Sequence, residues 1–519
     1  MISARNAAPM ALVTLGLLLC PLSSLNSLAV ADETTNEADA LEAVLGGFEE
    51  EATEQSGHTL DGVLGGFDDD AGKLDEQASD QKFDAVLQGF GTEQEKEQKP
   101  TDSSNSADKE PHPFLSRFTL DGWLQFGTAY NFAHETPENG ATDWQGFSRS
   151  RIDLQLDLTA RITDSWSAKI GAKGFYDALY SLKGRDEYTQ DVLDEYEDEL
   201  ELREVYVQGQ ILDNLDLKTG RQIVVWGKSD SIRVTDVLNP LDMREPGMTD
   251  IEDLRLPVSM TKLDYYFGDW ELSGMAIHEI RFNKLPAYGY DFYQADNPLP
   301  PEDKPESSLD NTEWAFSLSG IFSGWDLDLY YARVFNDTPH LVGSNNVGTS
   351  TLQHERLQMF GIAYNRAMGN WLFKTEAALL DGIEYSGSPG SYFRFDGLIG
   401  VEYSGVTNTT VSLEFADRHI NDFDTVVENP PDGVLEDMYQ LAFRFDRSFL
   451  NETMKLSLLA MLYGPSSANG AFERLSLEYD LNDTVMLRGG VVLYQSGDLI
   501  NMQEVDDNDR LFAEIRYSF

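Results

Sequence analysis

The sequence of 519 residues contains one cysteine, Cys20, and only 38 Lys and Arg residues against 90 Asp and Glu, which gives a net charge of −52. If Cys20 is removed with a signal segment, the remaining chain has no cysteine and needs no disulfide. The acidic balance argues against nucleic acid as a partner, because phosphates require a basic face. Beyond residue 31 the chain also has no apolar run of 18 residues, which excludes a transmembrane helix.

Residues 1–31 have the pattern of a secretory signal peptide. Arg5 supplies the positive charge, residues 10–20 form the apolar region, and residues 29–31 form a small-residue cleavage site. The leucines that precede Cys20 fit lipoprotein processing poorly. We therefore predict export across the inner membrane followed by removal of this segment.

Residues 32–112 are predicted to form a disordered acidic tail on the periplasmic side, because they are rich in Glu, Asp, Gln and Ser. The tail contains three copies of a short motif, LEAVLGGF, LDGVLGGF and FDAVLQGF, in which four apolar residues form one helical face. The residues of these faces are Leu41, Val44, Leu45, Phe48, Leu60, Val63, Leu64, Phe67, Phe83, Val86, Leu87 and Phe90. Repeated docking segments would raise the effective concentration of a periplasmic partner. The alternative is a spacer with no partner, and the sequence leaves both open.

Residues 113–519 are predicted to form an all-β domain, a transmembrane antiparallel β-barrel of about 18 strands (16–18). The first strand alternates strictly, with Leu120, Leu124 and Phe126 on one face and Asp121 and Gln125 on the other. A charged face suits a water-filled lumen and an apolar face suits lipid. Alternation alone does not distinguish a barrel from a soluble sandwich.

The lengths of the connections favour the barrel. Those after even-numbered strands are short, as at residues 213–214, 268–269 and 323–324, whereas most of those after odd-numbered strands are long and polar. Short periplasmic turns that alternate with long outer loops are typical of outer-membrane barrels, and an even strand number keeps both termini in the periplasm. We therefore predict that the chain resides in the bacterial outer membrane, in contact with its lipid and lipopolysaccharide.

The last strand, residues 511–519, alternates perfectly and ends in a terminal Phe. Tyr517 and Phe519 resemble the C-terminal signature that the barrel assembly machinery of bacteria reads. This machinery is therefore an expected partner of the chain.

The stretch from Gly220 to Met260 carries a family resemblance. It contains Gly-Arg-Gln, then Trp-Gly, Asn-Pro-Leu-Asp, Arg-Glu-Pro and finally Pro-Val-Ser-Met. This pattern resembles a group of proteobacterial outer-membrane proteins catalogued as a domain of unknown function. Such proteins often occur with RND-type exporters and envelope lipid-binding proteins, so the resemblance implies transport of hydrophobic or lipid-like molecules and an RND-type export system as a partner.

We predict that the fifth strand runs to Trp226 and that residues 227–260 form a loop that narrows or plugs the barrel. Mixed charges at a constriction select solutes by charge and size, and prolines stiffen a loop. The predicted constriction residues are Lys228, Asp230, Arg233, Asp236, Asp242, Arg244, Glu245, Asp250, Glu252, Asp253 and Arg255. The residues predicted to anchor the loop are Arg221, Gln222, Trp226, Asn239 and Pro240. The alternative is a lid whose charges pair with one another and with the wall.

Other chemistry is weakly indicated. The acidic run at residues 186–201 is interpreted as a solvated loop and alternatively as a Ca²⁺-binding one, although it lacks the glycine and spacing of an EF-hand. The seven histidines form no HExxH motif and no serine lies in a GxSxG elbow. A barrel hydrolase, for example one pairing His278 with Asp264, remains an alternative, but we predict no enzyme, no cofactor and no metal.

The favoured function is therefore an outer-membrane channel or transport conduit for small neutral, cationic or hydrophobic solutes. Residues 111–519 hold 67 acidic and 32 basic side chains, a net charge of −35, which disfavours an anion-selective pore. The second function is a structural or assembly partner in an envelope complex, recruited through the tail repeats. Bilayer conductance distinguishes the two.

Overall fold

The computed structural model of the protein describes residues 115–134, 142–249, 251–293, 295, 297–343 and 350–519. The predicted signal segment and acidic tail, with all three repeats, lie outside these residues. Among the described residues, no helix has the length and apolar character needed to span a membrane.

Eighteen antiparallel strands form one closed sheet, as predicted. Each strand pairs with its neighbours in sequence, and β1 closes the barrel by pairing with β18 from Trp123 opposite Ser518 to Asn131 opposite Arg510. The strands are β1 Phe118–Asn131, β2 Gly146–Arg161, β3 Trp166–Asp177, β4 Asp198–Leu212, β5 Leu215–Gln222, β6 Val258–Phe267, β7 Trp270–Ile277, β8 Glu313–Phe322, β9 Trp325–Phe335, β10 Arg356–Met368, β11 Trp371–Glu384, β12 Ser391–Val406, β13 Thr409–Ile420, β14 Asp437–Phe449, β15 Met454–Tyr463, β16 Ala471–Asn482, β17 Val485–Gln495 and β18 Arg510–Ser518.

The two faces of the wall separate as the alternation predicts. Leu120, Leu124 and Phe126 of β1 point outward, with 58%, 45% and 45% of their surfaces exposed, whereas Gln125 between them is buried. Comparable outward residues recur around the barrel, for example Phe415 on β13. The outer surface is therefore an apolar belt, which is the surface that a bilayer solvates.

The two ends of the barrel differ as predicted. The connections after the even-numbered strands β2 to β16 contain two to four residues, and the side of the barrel that carries them is here called the short-turn end. Strand β1 begins and strand β18 ends on this side. The other side, the long-loop end, carries most of the remaining secondary structure. It holds helices α1 Leu179–Lys183, α2 Gln190–Tyr196 and α3 Ile251–Leu254, and a small sheet of Glu302–Asp303, His340–Val342 and Thr351–Gln353.

Two local predictions were wrong. Strand β5 ends at Gln222 rather than Trp226, because Ile223–Trp226 leave the wall and enter the lumen. The acidic run at residues 186–201 is also not simply a solvated loop. Val192, Leu193 and Tyr196 of α2 are buried, and the run continues into the first residues of β4.

Candidate functional site: the inner loop

The connection between β5 and β6, residues 223–257, packs against the inside of the wall and is here called the inner loop. Its side chains Trp226, Ile232, Val234 and Leu238 are buried in one apolar cluster with inward-facing residues of the strands. Six of those wall residues are alanines, one on each of six strands: Ala315, Ala332, Ala363, Ala378, Ala416 and Ala442. Short side chains on the wall let the loop approach closely, and the buried apolar surface holds it there.

Trp226, a predicted anchor, stacks on Tyr330 of β9 with ring centroids 4.6 Å apart. The next residue, Gly227, has φ of +90° and donates its backbone N–H to the Tyr330 hydroxyl at 3.2 Å. A Cβ at Gly227 would lie 2.7 Å from a carboxylate oxygen of Glu376, so both the backbone conformation and the space require glycine. This Trp-Gly pair fixes the turn by which the loop enters the lumen.

Two wall carboxylates bind the backbone of the turn that follows. Glu376 of β11 accepts hydrogen bonds from the N–H groups of Lys228 at 2.5 Å and Ser229 at 2.7 Å, and from the Thr235 hydroxyl at 2.8 Å. Glu414 of β13 accepts from the N–H of Asp230 at 2.9 Å. Both carboxylates are almost fully buried. Hydrogen bonds to a charged acceptor are the stronger class, so these two residues tie the loop to the wall.

The predicted anchors at the base of the loop contact its entry and exit. Asn239 accepts a hydrogen bond from the N–H of Val224 at 2.9 Å and donates to the carbonyl of Leu256 at 2.8 Å. The carbonyl of Pro240 accepts from the N–H of Leu256 at 2.7 Å. The two ends of the loop are therefore joined across its base.

The other two predicted anchors lie in the wall. Gln222 is fully buried and donates to the carbonyl of Met260 at 3.2 Å. Arg221 donates to the carbonyls of Pro257 at 3.2 Å and Leu202 at 2.9 Å, and it pairs with Glu279 at 3.1 Å. The side chain of Arg221 thus bridges the exit of the loop and the neighbouring strand β4.

The predicted constriction residues of the first half of the loop form ion pairs. Lys228 contacts Asp328 of β9 at 2.8 Å, and Asp230 contacts Lys374 of β11. Asp236 is buried between two arginines of the loop, with Arg233 at 3.4 Å and Arg255 at 2.8 Å. These pairs hold the first half of the loop to strands β9 and β11 and to itself.

The second half reaches the opposite wall. Arg244 is nearly buried and pairs with Asp242 of the loop at 2.6 Å and with Glu199 of β4 at 2.7 Å. Glu245 contacts Arg149 and, at 2.8 Å, Arg151, both on β2. Burial disfavours the charged form of Glu245, but the two guanidinium groups outweigh it and hold its pKa well below the usual value. Glu245 therefore stays ionised.

Further contacts complete the path of the loop around the lumen. The Tyr494 hydroxyl of β17 donates to the carbonyl of Pro246 at 2.6 Å, and Phe472 of β16 lies against Gly247. With the contacts to β2, β4, β9, β11 and β13, the inner loop touches strands on opposite sides of the barrel. It therefore crosses the lumen rather than lining one side of it.

Three predicted constriction residues are not part of these networks as described. Asp250 and the side chain of Glu252 lie outside the described residues, and Asp253 is exposed. The other eight predicted residues all form ion pairs. These pairs fix the position of the loop, and selection of solutes by the same charges stays a prediction.

The sequence interpretation missed the wall partners Glu376, Glu414, Arg149 and Arg151. Alternation predicts which side chains face the lumen, but it does not show which lumenal charge faces the loop. A usable signal was the recurrence of alanine at inward positions of neighbouring strands, which marks the part of the wall that a second layer covers.

The remaining space in the lumen is uneven. A cavity of about 10 Å³ lies under the first half of the loop, between Trp226 and Glu376, and is large enough only for about one water. At the short-turn end, a cavity of about 670 Å³ is lined by polar and charged residues of β4, β5 and β6, including Gln208, Lys218 and Asp264. The first half of the loop is thus closely packed against the wall, and a larger polar space lies among β4, β5 and β6 near the short turns.

The alternative chemistry finds little support among the described residues. His278 contacts the Thr261 hydroxyl at 3.1 Å, whereas Asp264 binds Lys262 and Ser273, so the suggested His278–Asp264 pair does not form. The described part of the chain holds no group of three His, Cys, Asp or Glu side chains placed to bind a metal.

Tyr517 and Phe519, of the predicted assembly signal, are half-exposed on the outer face.

Comparison with known proteins gives a family and a set of barrels. No curated protein matches the chain. Similar solved structures include Acinetobacter baumannii OccAB2 (9% identity, 79% of this chain and 99% of that chain, TM-score 0.47), Pseudomonas aeruginosa OccK9 (12% identity, 79% and 100%, TM-score 0.47) and Vibrio cholerae OmpT, an outer membrane protein (12% identity, 78% and 99%, TM-score 0.37). The family described as "Protein of unknown function (DUF1302)" matches residues 139–519, and the chain belongs to this family.

Proposed function

We propose that this protein is a transport channel of the bacterial outer membrane, in which the inner loop narrows the lumen and determines which solutes pass. The apolar belt supports a location in a bilayer, since the paired strands of a β-barrel satisfy the backbone groups that lipid cannot. The alternation of short turns and long loops supports the outer membrane as that bilayer.

The observation that carries the proposal is the fixation of the inner loop at both walls. On one side Glu376 binds the backbone at Lys228 and Ser229, and on the other Arg149 and Arg151 bind Glu245. A loop held only at its base could swing aside, whereas one fixed at opposite walls sets a defined aperture for as long as both sets of contacts persist. Such fixed apertures discriminate solutes by size and charge.

The acidity of the chain supports passage of cations and neutral solutes rather than anions. Residues 111–519 carry a net charge of −35, and the charges of the loop are largely neutralised within pairs. The unpaired excess therefore resides on the wall and the long loops, where it raises the local concentration of cations. The passage of an apolar solute would instead depend on contacts with the apolar cluster around Trp226.

Planar bilayers test the proposal directly. The full chain is compared with a variant in which residues 228–254 are replaced by a short Gly-Ser linker, under a KCl gradient. We expect small, cation-selective conductance for the natural chain and a several-fold larger, less selective conductance for the variant. A barrel that passes no ions in either form, or passes them equally, would overturn the proposal.

The second function predicted from the sequence, docking of an envelope partner such as an RND-type exporter, depends on the tail repeats. These repeats lie outside the described residues, so this function stays a prediction. Binding of a peptide of residues 32–110 to periplasmic extract, with Phe48, Phe67 and Phe90 replaced by alanine as the control, tests it independently of conductance.

A further inference from the structure

One strand of the wall loses its neighbour before it ends. Strand β4 pairs with β5 from Leu212 opposite Leu215 only as far as Val205 opposite Arg221. Beyond that point β5 turns into the lumen, and within the described part of the chain residues 198–204 of β4 have no ladder partner on this side. The pairing of β4 with β3 also shifts register here, between Ile170 and Ala172. A register shift of this kind bends a strand, although the ladder between β3 and β4 continues beyond it to Tyr176 opposite Asp198.

The gap faces the exit of the inner loop. Gln222, the last residue of β5, pairs with Val258, the first residue of β6, so the wall resumes there. The seam is defined here as the gap between residues 198–204 of β4 and the loop exit at Leu256 and Pro257, beyond the end of β5. In an ordinary barrel wall, neighbouring strands are joined by a continuous backbone ladder, because lipid satisfies no polar group. The seam has no such ladder.

Side chains close the seam instead. Arg221 joins the carbonyls of Leu202 and Pro257, at 2.9 Å and 3.2 Å. Arg281 also donates to the Pro257 carbonyl at 3.2 Å and pairs with Glu201 of β4 at 2.5 Å.

Two further cations, Arg244 of the inner loop and Lys284, bind Glu199, which lies on the same part of β4 nearer the long-loop end. Ion pairs of this kind can part by side-chain rotation, which a backbone ladder cannot.

The two sides of the seam are apolar. On the outside, Leu200 and Leu202 of β4 are 85% and 55% exposed, next to the exposed Ile170 of β3. On the inside, Leu256 and Val258 flank Pro257 and are buried, and Val258 belongs to the apolar cluster of Trp226. A path between lipid and the lumen would therefore be apolar on both sides and closed by polar groups at its middle.

We propose that the seam is a lateral gate, through which apolar molecules with an alkyl chain pass between the bilayer and the lumen at the exit of the inner loop. This inference rests on the proposed transport function and names one substrate class for it. Alkyl chains match Leu200 and Leu202 on the outside and Leu256 and Val258 on the inside. Their passage requires that Arg221 and Arg281 release the Leu202 and Pro257 carbonyls.

The experiment uses the full chain in vesicles that contain a phospholipid with a photoreactive diazirine on its acyl chain. In a Cys20→Ala background, Leu202→Cys and Pro257→Cys, the two positions whose carbonyls Arg221 bridges, are joined by a short bis-maleimide, which locks the seam. A matched pair, Leu272→Cys and Leu318→Cys, joins two strands whose ladder is intact at that position. After illumination, mass spectrometry measures labelling of inner-loop peptides and of outer-wall peptides, and confirms each cross-link.

We expect labelling of inner-loop peptides in the unlocked chain, loss of that labelling when the seam is locked, and no change with the control pair. Arg281→Gln should raise the labelling by about two- to fivefold, as expected for removal of one partly exposed ion pair, whereas Arg488→Gln, which breaks a pair elsewhere, should not. Absence of inner-loop labelling, or equal labelling in locked and unlocked chains, overturns the gate. Ion conductance is recorded on the same preparations. Lock-sensitive labelling without conductance would support the gate and contradict the channel, whereas conductance without such labelling would support the channel and contradict the gate.

Discussion

The two halves of the inner loop are held to the barrel by different physical means. Residues 223–239 bury Trp226 and its apolar neighbours against an alanine-lined wall, and their backbone amides are bound by Glu376 and Glu414. Residues 240–257 are held mainly by ion pairs, chiefly through Arg244 and Glu245. The first half therefore combines apolar burial with charged contacts, whereas the second half depends mainly on charge.

This difference assigns separate roles to the two halves. An apolar contact is insensitive to ionic strength, so the first half can serve as a permanent obstruction. A half held by ion pairs can shift when those pairs are broken, and it lies beside the seam. The comparison therefore predicts a fixed side and an adjustable side of the aperture.

The largest effect is expected from Glu245→Gln. Glu245 is partly buried and pairs with both Arg149 and Arg151, so removing its charge should cost up to about 3–5 kcal/mol, the range for losing one partner of a buried pair. We expect faster protease cleavage within residues 240–257 and a lower temperature of thermal unfolding. Glu195→Gln is the matched control, because Glu195 is half-exposed and pairs at 3.4 Å with Arg244, the chain neighbour of Glu245. Equal effects of the two substitutions would remove the distinction between buried and exposed pairs.

Acid should act on the same contact. The pKa of Glu245 is lowered in the folded chain, so its stabilising effect is present above its ordinary pKa and is lost as the pH falls through the lowered value. Conductance recorded at decreasing pH should rise in the natural chain only under strongly acidic conditions. In Glu245→Gln this acid-dependent rise should be missing.

A smaller effect is expected from Glu376→Gln. The amide that replaces the carboxylate cannot accept all the hydrogen bonds from Lys228, Ser229 and Thr235, and each hydrogen bond to a charged group contributes about 1.5–3 kcal/mol. Thermal unfolding and protease cleavage near residue 228 measure the loss. The control is Glu478→Gln, a wall carboxylate that pairs with Arg488. Equal destabilisation by Glu478→Gln would contradict the role of Glu376 in holding the first half of the loop.

The alanine-lined wall allows a steric test with adjacent residues. Ala378 faces the loop and is buried, whereas Ala377 lies on the opposite face of the same strand. Ala378→Leu overfills the contact and should cost about 1–3 kcal/mol, with displacement of the first half and a changed conductance. Ala377→Leu should leave both nearly unchanged, and a reversal of this order would show that the loop does not rest on this surface.

The smallest effect is expected in the long loops. A hydrogen bond from the His340 ring to the Glu355 carboxylate raises the pKa of His340 above its ordinary value. The stabilisation is therefore fully present below the ordinary pKa and is lost as the pH rises through the raised one. Thermal unfolding should decline slightly over that range, and His340→Gln should abolish the decline while His134→Gln preserves it.

All eighteen strands and the short-turn end could be predicted from the sequence, because the period of two and the length of connections are local properties. The end of β5 could not, since Val224 and Trp226 continue the alternation after the chain has left the wall. Tertiary contacts end the strand, namely those of Asn239 with Val224 and of Trp226 with Tyr330. Burial inside a lumen produces the same pattern as burial against a sheet.

The candidate site was only half predictable for a similar reason. The charged residues of the loop were visible in the sequence, but their partners Glu376, Glu414, Arg149 and Arg151 lie between 94 and 184 residues away. Nothing local separates a lumenal carboxylate that binds the loop from one that faces water. The seam was likewise invisible, because it arises from the different lengths of β4 and β5.

The central claim is that wall carboxylates hold the inner loop across the lumen, and single-channel conductance of Glu376→Ala with Glu414→Ala tests it most directly. Release of the first half should widen the aperture, so the double variant should conduct several-fold more than the natural chain. Glu478→Ala, which removes a carboxylate from the wall without a described loop contact, should conduct as the natural chain does. Equal conductance of the double variant and the natural chain would contradict the account.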